Sequence, residues 1–364
     1  MLVIIGTGLA GYSVAKEWRK LDKNQPLVLI TQDEGHFYSK PLLSTALSQT
    51  KTPEALVITP VETMQQQLDA TIYTHSSVCA INTEKQEITV LTPDGEITLL
   101  YSQCVMALGA KPKPFAPLAN HKNHYRINSL QDYARFMADF HRFEKLSIIG
   151  SGLVGCEFAH DFSHKDIPIE IFTPDPYPLA RFVPQPVGQA LQQVLADKGI
   201  TWHTDITCFD FQDNPNECIL TAIGLQPNIE IANLAGVAVN IGIKVDRFLA
   251  TNKANVFALG DCAEIEDKCY QFIAPIIHCA QRLAQTLIGN PMAIALPTMA
   301  ITLKVGSYPI ITCPPALNEI GTWEYEQKET CVKAVFYNQD RKVCGYSLTG
   351  SYREERQHYL SLMN

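Results

Sequence analysis

The apolar positions of this chain fall into two textures. Before Pro291, short β-branched runs alternate with stretches of helical period; after it, brief segments alternate apolar and polar residues. Leu2 to Ile5 is the first run and reads as a parallel strand buried on both faces. Tyr12 to Lys23 follows with Val14, Trp18 and Leu21 on one stripe at i, i+4, i+7. Leu27 to Ile30, just after Pro26, is a second buried strand, and the three pieces make a β-α-β unit. Beyond it the pattern predicts a helix over Val61 to Leu68 and a strand over Thr71 to Thr74. A hairpin follows, Ile88 to Val90 with Ile97 to Leu99 about Pro93-Asp94-Gly95, and then a buried strand over Cys104 to Leu108. Pro112, Pro114 and Pro117 give the next stretch the composition of a linker.

The opening pattern then returns. Leu146 to Ile149 is an apolar strand, Leu153 to His164 a helix with Val154, Phe158 and Phe162 on one face, and Ile167 to Phe172 the next strand. Residues 186–198 read as a helix and 200–211 as a strand; Leu220 to Ile223 and Val256 to Leu259 are further strands, and Pro275 to Leu287 is helical. Past Pro291, the segments Ile301 to Val305, Tyr308 to Thr312, Thr322 to Glu326, Val332 to Tyr337 and Val343 to Leu348 suit a small antiparallel sheet, with a turn at Asn338-Gln339-Asp340. Tyr352 to Leu362 is a closing helix.

Both β-α-β units carry glycines at the same spacing where strand passes into helix: Gly6, Gly8, Gly11, and then Gly150, Gly152, Gly155, 144 residues later counting Gly6 to Gly150. The first glycine suits the tight turn, the second a close backbone approach to a pyrophosphate, and the third close packing of helix on strand. The helix N-terminus favours the phosphate charge. Two such units imply two dinucleotide sites and an α/β fold with two Rossmann-like domains and a small α+β C-terminal domain. At the ends of the second strands, where an acid commonly binds a ribose hydroxyl, the chain has Thr31, followed by Gln32 and Asp33, and Thr173, followed by Asp175; Arg181 is not far on. No arginine stands in an obvious place to hold a 2′-phosphate, which favours NADH over NADPH. Lys40, held extended by Pro41, is either a cation beside a cofactor or a surface lysine. Asp261, after the Val256 to Leu259 strand, is either a ligand-binding carboxylate or a helix N-cap. His160 and His164 stand at i, i+4 away from Phe158 and Phe162, and lack the acid of an H-E-x-x-H motif. They read as a solvated helix face, and no metal site is expected.

The 364 residues suffice for two or three domains, and 46 % hydrophobic with 18 % charged residues is ordinary for a globular protein. A formal charge of -8 gives no basic footprint for nucleic acid. No apolar run reaches the length of a bilayer span, and the glycine-broken start, with no basic flank, does not read as a signal peptide. Eleven cysteines without a C-x-x-C pair read as reduced thiols of a cytoplasmic protein.

The two glycine-rich units, with Ala107-Leu108-Gly109-Ala110, Ala222-Ile223-Gly224-Leu225-Gln226-Pro227 and Asn255-Val256-Phe257-Ala258-Leu259-Gly260-Asp261, resemble the FAD-dependent pyridine nucleotide reductases over nearly the whole chain. Val3 to Leu21, Tyr38 to Thr45, Gly155 to Ala159 and Ala258 to Glu264 are most similar to the bacterial rubredoxin–NAD(+) reductases. The resemblance implies an FAD domain (1–115 and 228–290) split by an NADH domain (116–227), then a C-terminal domain (291–364). It implies FAD contacts at Thr7, Gly8, Leu9, Ala10, Gln32, Asp33, Lys40, Val78, Glu157, Asp261, Ile273 and Lys304, with Ala107 and Gly260 of the strand-end motifs. Asp261 would bind a ribityl hydroxyl. The helix after Pro275 would point its N-terminus at the flavin N1–C2=O edge, and Lys40, paired with Glu157, would sit near N5. Thr207 to Cys218 is shorter than the β-meander such proteins carry there.

The related disulfide reductases have two cysteines four residues apart on the helix after the first loop region; here Met1 to Val78 holds none, and Lys40, Ser44 and Thr45 stand in that region. Dithiol exchange is therefore not expected. The function implied is hydride transfer from NADH to FAD, then single electrons to rubredoxin or a similar small carrier. The alternatives are a reductase for a ferredoxin or a flavorubredoxin-type nitric oxide reductase, an NADH oxidase, and a non-enzymatic FAD-dependent sensor. Rubredoxins being small and acidic, docking would need a local basic patch; Lys16, Arg19, Lys20 and Lys23 are either that patch or a solvated helix face.

Overall fold

A computed structural model describes every residue except Asp210, Gln212, Ser307 and Asn364. The chain divides into two compact units, each assembled from three stretches.

The first comprises Met1–Ser39, Val57–Lys111 and Leu225–Leu296. Its centre is a five-stranded parallel sheet in the order Val256–Ala258, Gln103–Met106, Leu2–Ile5, Leu27–Ile30, Thr71–Tyr73. The register pairs Val3 with Val28 on one side and with Cys104 on the other. Leu2–Ile5 and Leu27–Ile30 are buried at every position, because both faces are covered. Leu2, Ile4, Leu27 and Leu29 pack against the Leu9–Leu21 and Ile273–Leu287 helices. Val3, Ile5, Val28 and Ile30 pack against Ile81, Ile88 and Val90 of an antiparallel three-stranded sheet, Ser77–Asn82, Glu87–Thr92, Gly95–Leu100. Each fully buried aliphatic contributes about 1.5–3 kcal/mol. The Leu9–Leu21 helix buries Val14 and Trp18, but Leu21 is 42 % exposed: the helix ends there, with the Asp22 N–H closing on Trp18 O.

The second unit comprises Lys40–Leu56, Pro112–Gly224 and the stretch from Pro297. Its parallel sheet runs His124–Tyr125, Glu217–Thr221, Lys145–Ile149, Ile169–Phe172, Ile200–His203. The strand expected over 200–211 stops at His203, since Asp205 turns the chain with φ 56°; position 210 lies outside the described residues. The chain's last part forms an antiparallel sheet in the order Ile301–Leu303, Ile310–Cys313, Val343–Thr349, Cys331–Asn338, Gly321–Lys328, followed by the Arg356–Met363 helix. Leu303, Val305, Ile310, Val332 and Ala334 belong to the same core as Phe158, Phe162, Leu191 and Leu195 of the Leu153–Phe162 and Gln185–Ala196 helices.

Candidate functional site

In the first unit, three glycines do three different things. Gly6 has φ 113°, and a Cβ there would lie 2.2 Å from Ala107 O. A Cβ at Gly11 would lie 1.9 Å from Gly6 O, so the helix rests directly on the turn. Gly8 meets nothing within 4 Å. It is the N-cap of the Leu9–Leu21 helix, has no capping side chain, and no acid stands in the first turn. A helix of this length leaves its first N–H groups for a ligand, and the open side of Gly8 is where a pyrophosphate fits. Thr7 and Ala10 are buried and Leu9 half-buried. Gly260, with φ 81°, leans on the same helix: a Cβ would come within 2.7 Å of Ala10 Cβ. This brings half-buried Asp261 to the glycine loop.

Past the second strand, Asp33 Oδ1 accepts the Thr31 hydroxyl (2.7 Å) and the Gly35 N–H (2.9 Å). Gln32 Nε2 donates to Ser77 Oγ at 3.3 Å, beside Val78. Tyr12, whose phenol burial and then Asp33 push upward, donates to Gly35 O. The late helix starts at Ile273, earlier than the Pro275 expected from sequence; proline is tolerated in a first turn, where its missing N–H has no intrahelical partner. Its N-cap, Phe272, supplies no side-chain cap.

The second unit repeats the first loop. Gly150 has φ 109° and a Cβ there would lie 2.6 Å from Ala222 O; a Cβ at Gly155 would lie 2.0 Å from Gly150 O; Gly152 meets nothing within 4 Å. Gly152 caps the Leu153–Phe162 helix without a side-chain bond or an acid in the first turn. Val154, expected on the apolar face, is 47 % exposed. Thr173 is fully buried, its Oγ1 2.8 Å from Ser151 Oγ, and it accepts the Asp175 N–H at 3.2 Å.

The same helix carries Glu157, only 7 % exposed. Its Oε2 accepts the Ser44 hydroxyl at 2.6 Å and its Oε1 the Lys304 N–H at 2.9 Å. Burial pushes its carboxyl above the usual range; the Ser44 hydroxyl, the Lys304 N–H and the Lys304 charge oppose that. Exposed Lys40 opens the Lys40–Thr45 turn, which buries Leu43 and Ser44. One helical turn after Glu157, Asp161 is 1 % exposed and accepts the N–H groups of Leu47 (2.9 Å) and Ser48 (2.8 Å). Neither Ser44 nor Asp161 was assigned a role from sequence. The signal available was an acid on a helix turn between Phe158 and Phe162, where a solvated carboxylate has no place.

One expectation is corrected. His160 is buried rather than solvated, while His164 is exposed; no cluster of metal-ligating side chains occurs among the described residues. The basic residues of the Leu9–Leu21 helix are engaged: Arg19 donates to the carbonyls of Leu68, Asp22, Gln25 and Asp69, Lys20 pairs with Glu17, and Lys16 lies over the Phe37 ring. Lys20 and Lys23 nonetheless stay exposed.

Residues 1–285 match the family model described as pyridine nucleotide-disulphide oxidoreductase, and residues 293–363 the one described as rubredoxin binding C-terminal domain. The chain is 34 % identical to a rubredoxin-NAD(+) reductase of Alcanivorax borkumensis, over 98 % of this chain and 96 % of that one. It is 31 % identical to a nitric oxide reductase FlRd-NAD(+) reductase of Aliivibrio fischeri, over 96 % and 94 %. Its fold matches the crystal structure of NADH:rubredoxin oxidoreductase from Clostridium acetobutylicum with a TM-score of 0.85 at 21 % identity, over 100 % of this chain and 93 % of that one.

Proposed function

The chain belongs to the pyridine nucleotide-disulphide oxidoreductase family and is an FAD-dependent oxidoreductase, and from that premise we propose that it oxidises NADH and reduces a rubredoxin, one NADH giving NAD⁺, a proton and two reduced carriers. The observation that carries the reading is one helix. Leu153–Phe162 opens on the bare N-terminus at Gly152 and, within its second turn, buries Glu157 against the turn that starts with Lys40. When bound, FAD takes electrons from NADH as a pair and gives them up singly.

The residues divide that work. The N–H groups after Gly8 and Gly152 bind pyrophosphate, of FAD and of NADH respectively. Asp33, its Oδ1 already fixed by Thr31 and Gly35, is assigned to an FAD ribose hydroxyl, and Asp261 to the ribityl chain. Asp175 is assigned to the NADH ribose. Lys40 supplies positive charge for hydride transfer, and Glu157 orients the Lys40–Thr45 turn through Ser44. The closing stretch, matched by the rubredoxin-binding model, is assigned to the carrier. We place the enzyme in the cytoplasm, where thiols such as its eleven stay reduced; among the described residues no helix is long and apolar enough to cross a membrane. The likeness to the Aliivibrio fischeri protein supports a second acceptor, the flavorubredoxin type.

The test is anaerobic stopped-flow oxidation of NADH by the purified protein with rubredoxin, flavorubredoxin or ferredoxin offered in turn. Fast reduction of rubredoxin supports the first reading; fast reduction of flavorubredoxin alone replaces it with the second. Lys40→Met is expected to retain FAD yet bleach with NADH at least ~10-fold more slowly; bleaching at the wild-type rate removes Lys40 from the mechanism.

A further inference from the structure

Two buried carboxylates on one helix face grip one segment. Glu157 takes the Ser44 hydroxyl on Oε2, and Asp161, one turn further along, takes the N–H of Leu47 on Oδ2 and the N–H of Ser48 on Oδ1. The stretch between these anchors is itself well seated, with Leu43, Ser44 and Ala46 buried. A carboxylate that is 1 % exposed is costly unless paired, and here each oxygen meets one backbone donor in a charge-assisted bond. Tyr133, on the Leu130–Phe140 helix, faces the same carboxylate: burial and then Asp161 push its phenol up to about 12.

We infer that Asp161 is a positioning residue for hydride transfer, holding the Lys40–Ser48 segment on the NADH-binding helix so that Lys40 and Ser44 keep their working places. The inference rests on the reading of Lys40 and Glu157 given above and deepens it. Ser44 is tied to the helix by its hydroxyl, through a side chain that can rotate. Leu47 and Ser48 are tied by their backbones, which fixes the path of the chain leading back to Lys40. Small displacements of a positioned group cost large factors in rate, so the anchor acts on the chemical step without touching substrate.

The experiment uses the FAD-loaded full chain. Asp161→Asn keeps the size of the side chain but turns an NH₂ toward one of the two N–H donors. Ser48→Pro deletes both the N–H and the hydroxyl that Ser48 offers Asp161 and leaves the helix intact. Both variants are expected to slow flavin bleaching by NADH about tenfold while the dissociation constant for NADH stays within about twofold, a split between rate and binding. In hydrogen exchange, Leu47 and Ser48 are expected to lose protection in Asp161→Asn. In a Lys40→Met background, Asp161→Asn is expected to bring no further slowing. An equal additional slowing there would make Asp161 a general stabiliser and overturn the inference. Slow Lys40→Met with fast Asp161→Asn and Ser48→Pro overturns the inference alone. Wild-type bleaching in Lys40→Met overturns the reading beneath it and the inference together.

Discussion

His160 sits on the side of its helix that the Phe158 and Phe162 stripe assigns to solvent, yet it is buried, and a Cβ at Gly306 would come within 3.5 Å of its Cε1. The cover comes from a loop 146 residues on, counting His160 to Gly306, which a helical wheel cannot register. Burial, then the charges of Lys198 and His164, lower its pKa from 6.5 to about 4. The folded chain therefore binds this proton less readily than the unfolded chain, so stability is fully present above pH 6.5 and falls as the pH drops toward 4. By pH 5 the loss is about 2 kcal/mol. His160→Gln is expected to flatten the fall in denaturant midpoint between pH 7 and pH 5 by that amount; an unchanged fall would assign the acid sensitivity to other groups. Leu21 and Val154 err the opposite way, apolar on the stripe but exposed. Each stands at a helix end, where the period continues but the covering element does not.

Glycine loops are legible because their geometry is local. The repeat of Gly6, Gly8 and Gly11 in Gly150, Gly152 and Gly155 appears in the structure as the same pair of close approaches about an open middle position. Gly11→Ala would set a Cβ on Gly6 O, and Gly155→Ala one on Gly150 O, both backbone atoms with no room to yield. Each change would lift one helix from one strand. Gly11→Ala is expected to purify without FAD, whereas Gly155→Ala is expected to keep FAD and bind NADH at least ~10-fold more weakly by titration; loss of FAD in both, or in neither, would show that the two loops do not serve separate nucleotides. Other elements escaped a reading that followed apolar runs. Leu130–Phe140 starts with a full capping box between Ser129 and Asp132, a signal present in the sequence but lying just past the proline-rich stretch. Ser77–Asn82 has two exposed inner positions, Cys79 and Ala80, and a register shift between Val78 and Ala80, so its alternation is broken. The Glu157 and Asp161 anchors were not legible as a pair, since their partners lie 113 or more residues away.

At the scale of the whole chain, the alternating texture after Pro291 corresponds to an antiparallel sheet rather than a further β-α-β unit. In the structure the antiparallel sheet shares one core with the second parallel sheet and its helices, and the Gln185–Ala196 helix packs on the Cys331–Asn338 strand. Leu303, Val305, Ile310 and Val332 are each within 1 % of full burial in that core. At about 1.5–3 kcal/mol each, they contribute roughly 6–12 kcal/mol, comparable with the 5–15 kcal/mol that holds an ordinary domain folded. Removing them also opens the core they share with Phe158, Phe162 and Leu191, though Phe136 and Phe140 still pack on Phe162, and takes away the Lys304 N–H that satisfies Glu157 Oε1. A chain stopped at Met292 still contains both glycine loops, Lys40, Glu157 and Asp161. It is nonetheless expected to elute as aggregate and to lack a cooperative melt, and not to survive as a trimmed reductase that bleaches with NADH but cannot reach its carrier. Size-exclusion chromatography with a thermal melt decides it: a monomeric fragment that melts cooperatively and binds NADH would make the closing sheet a docking module alone, whereas aggregation would make it a structural half of the NADH-binding unit.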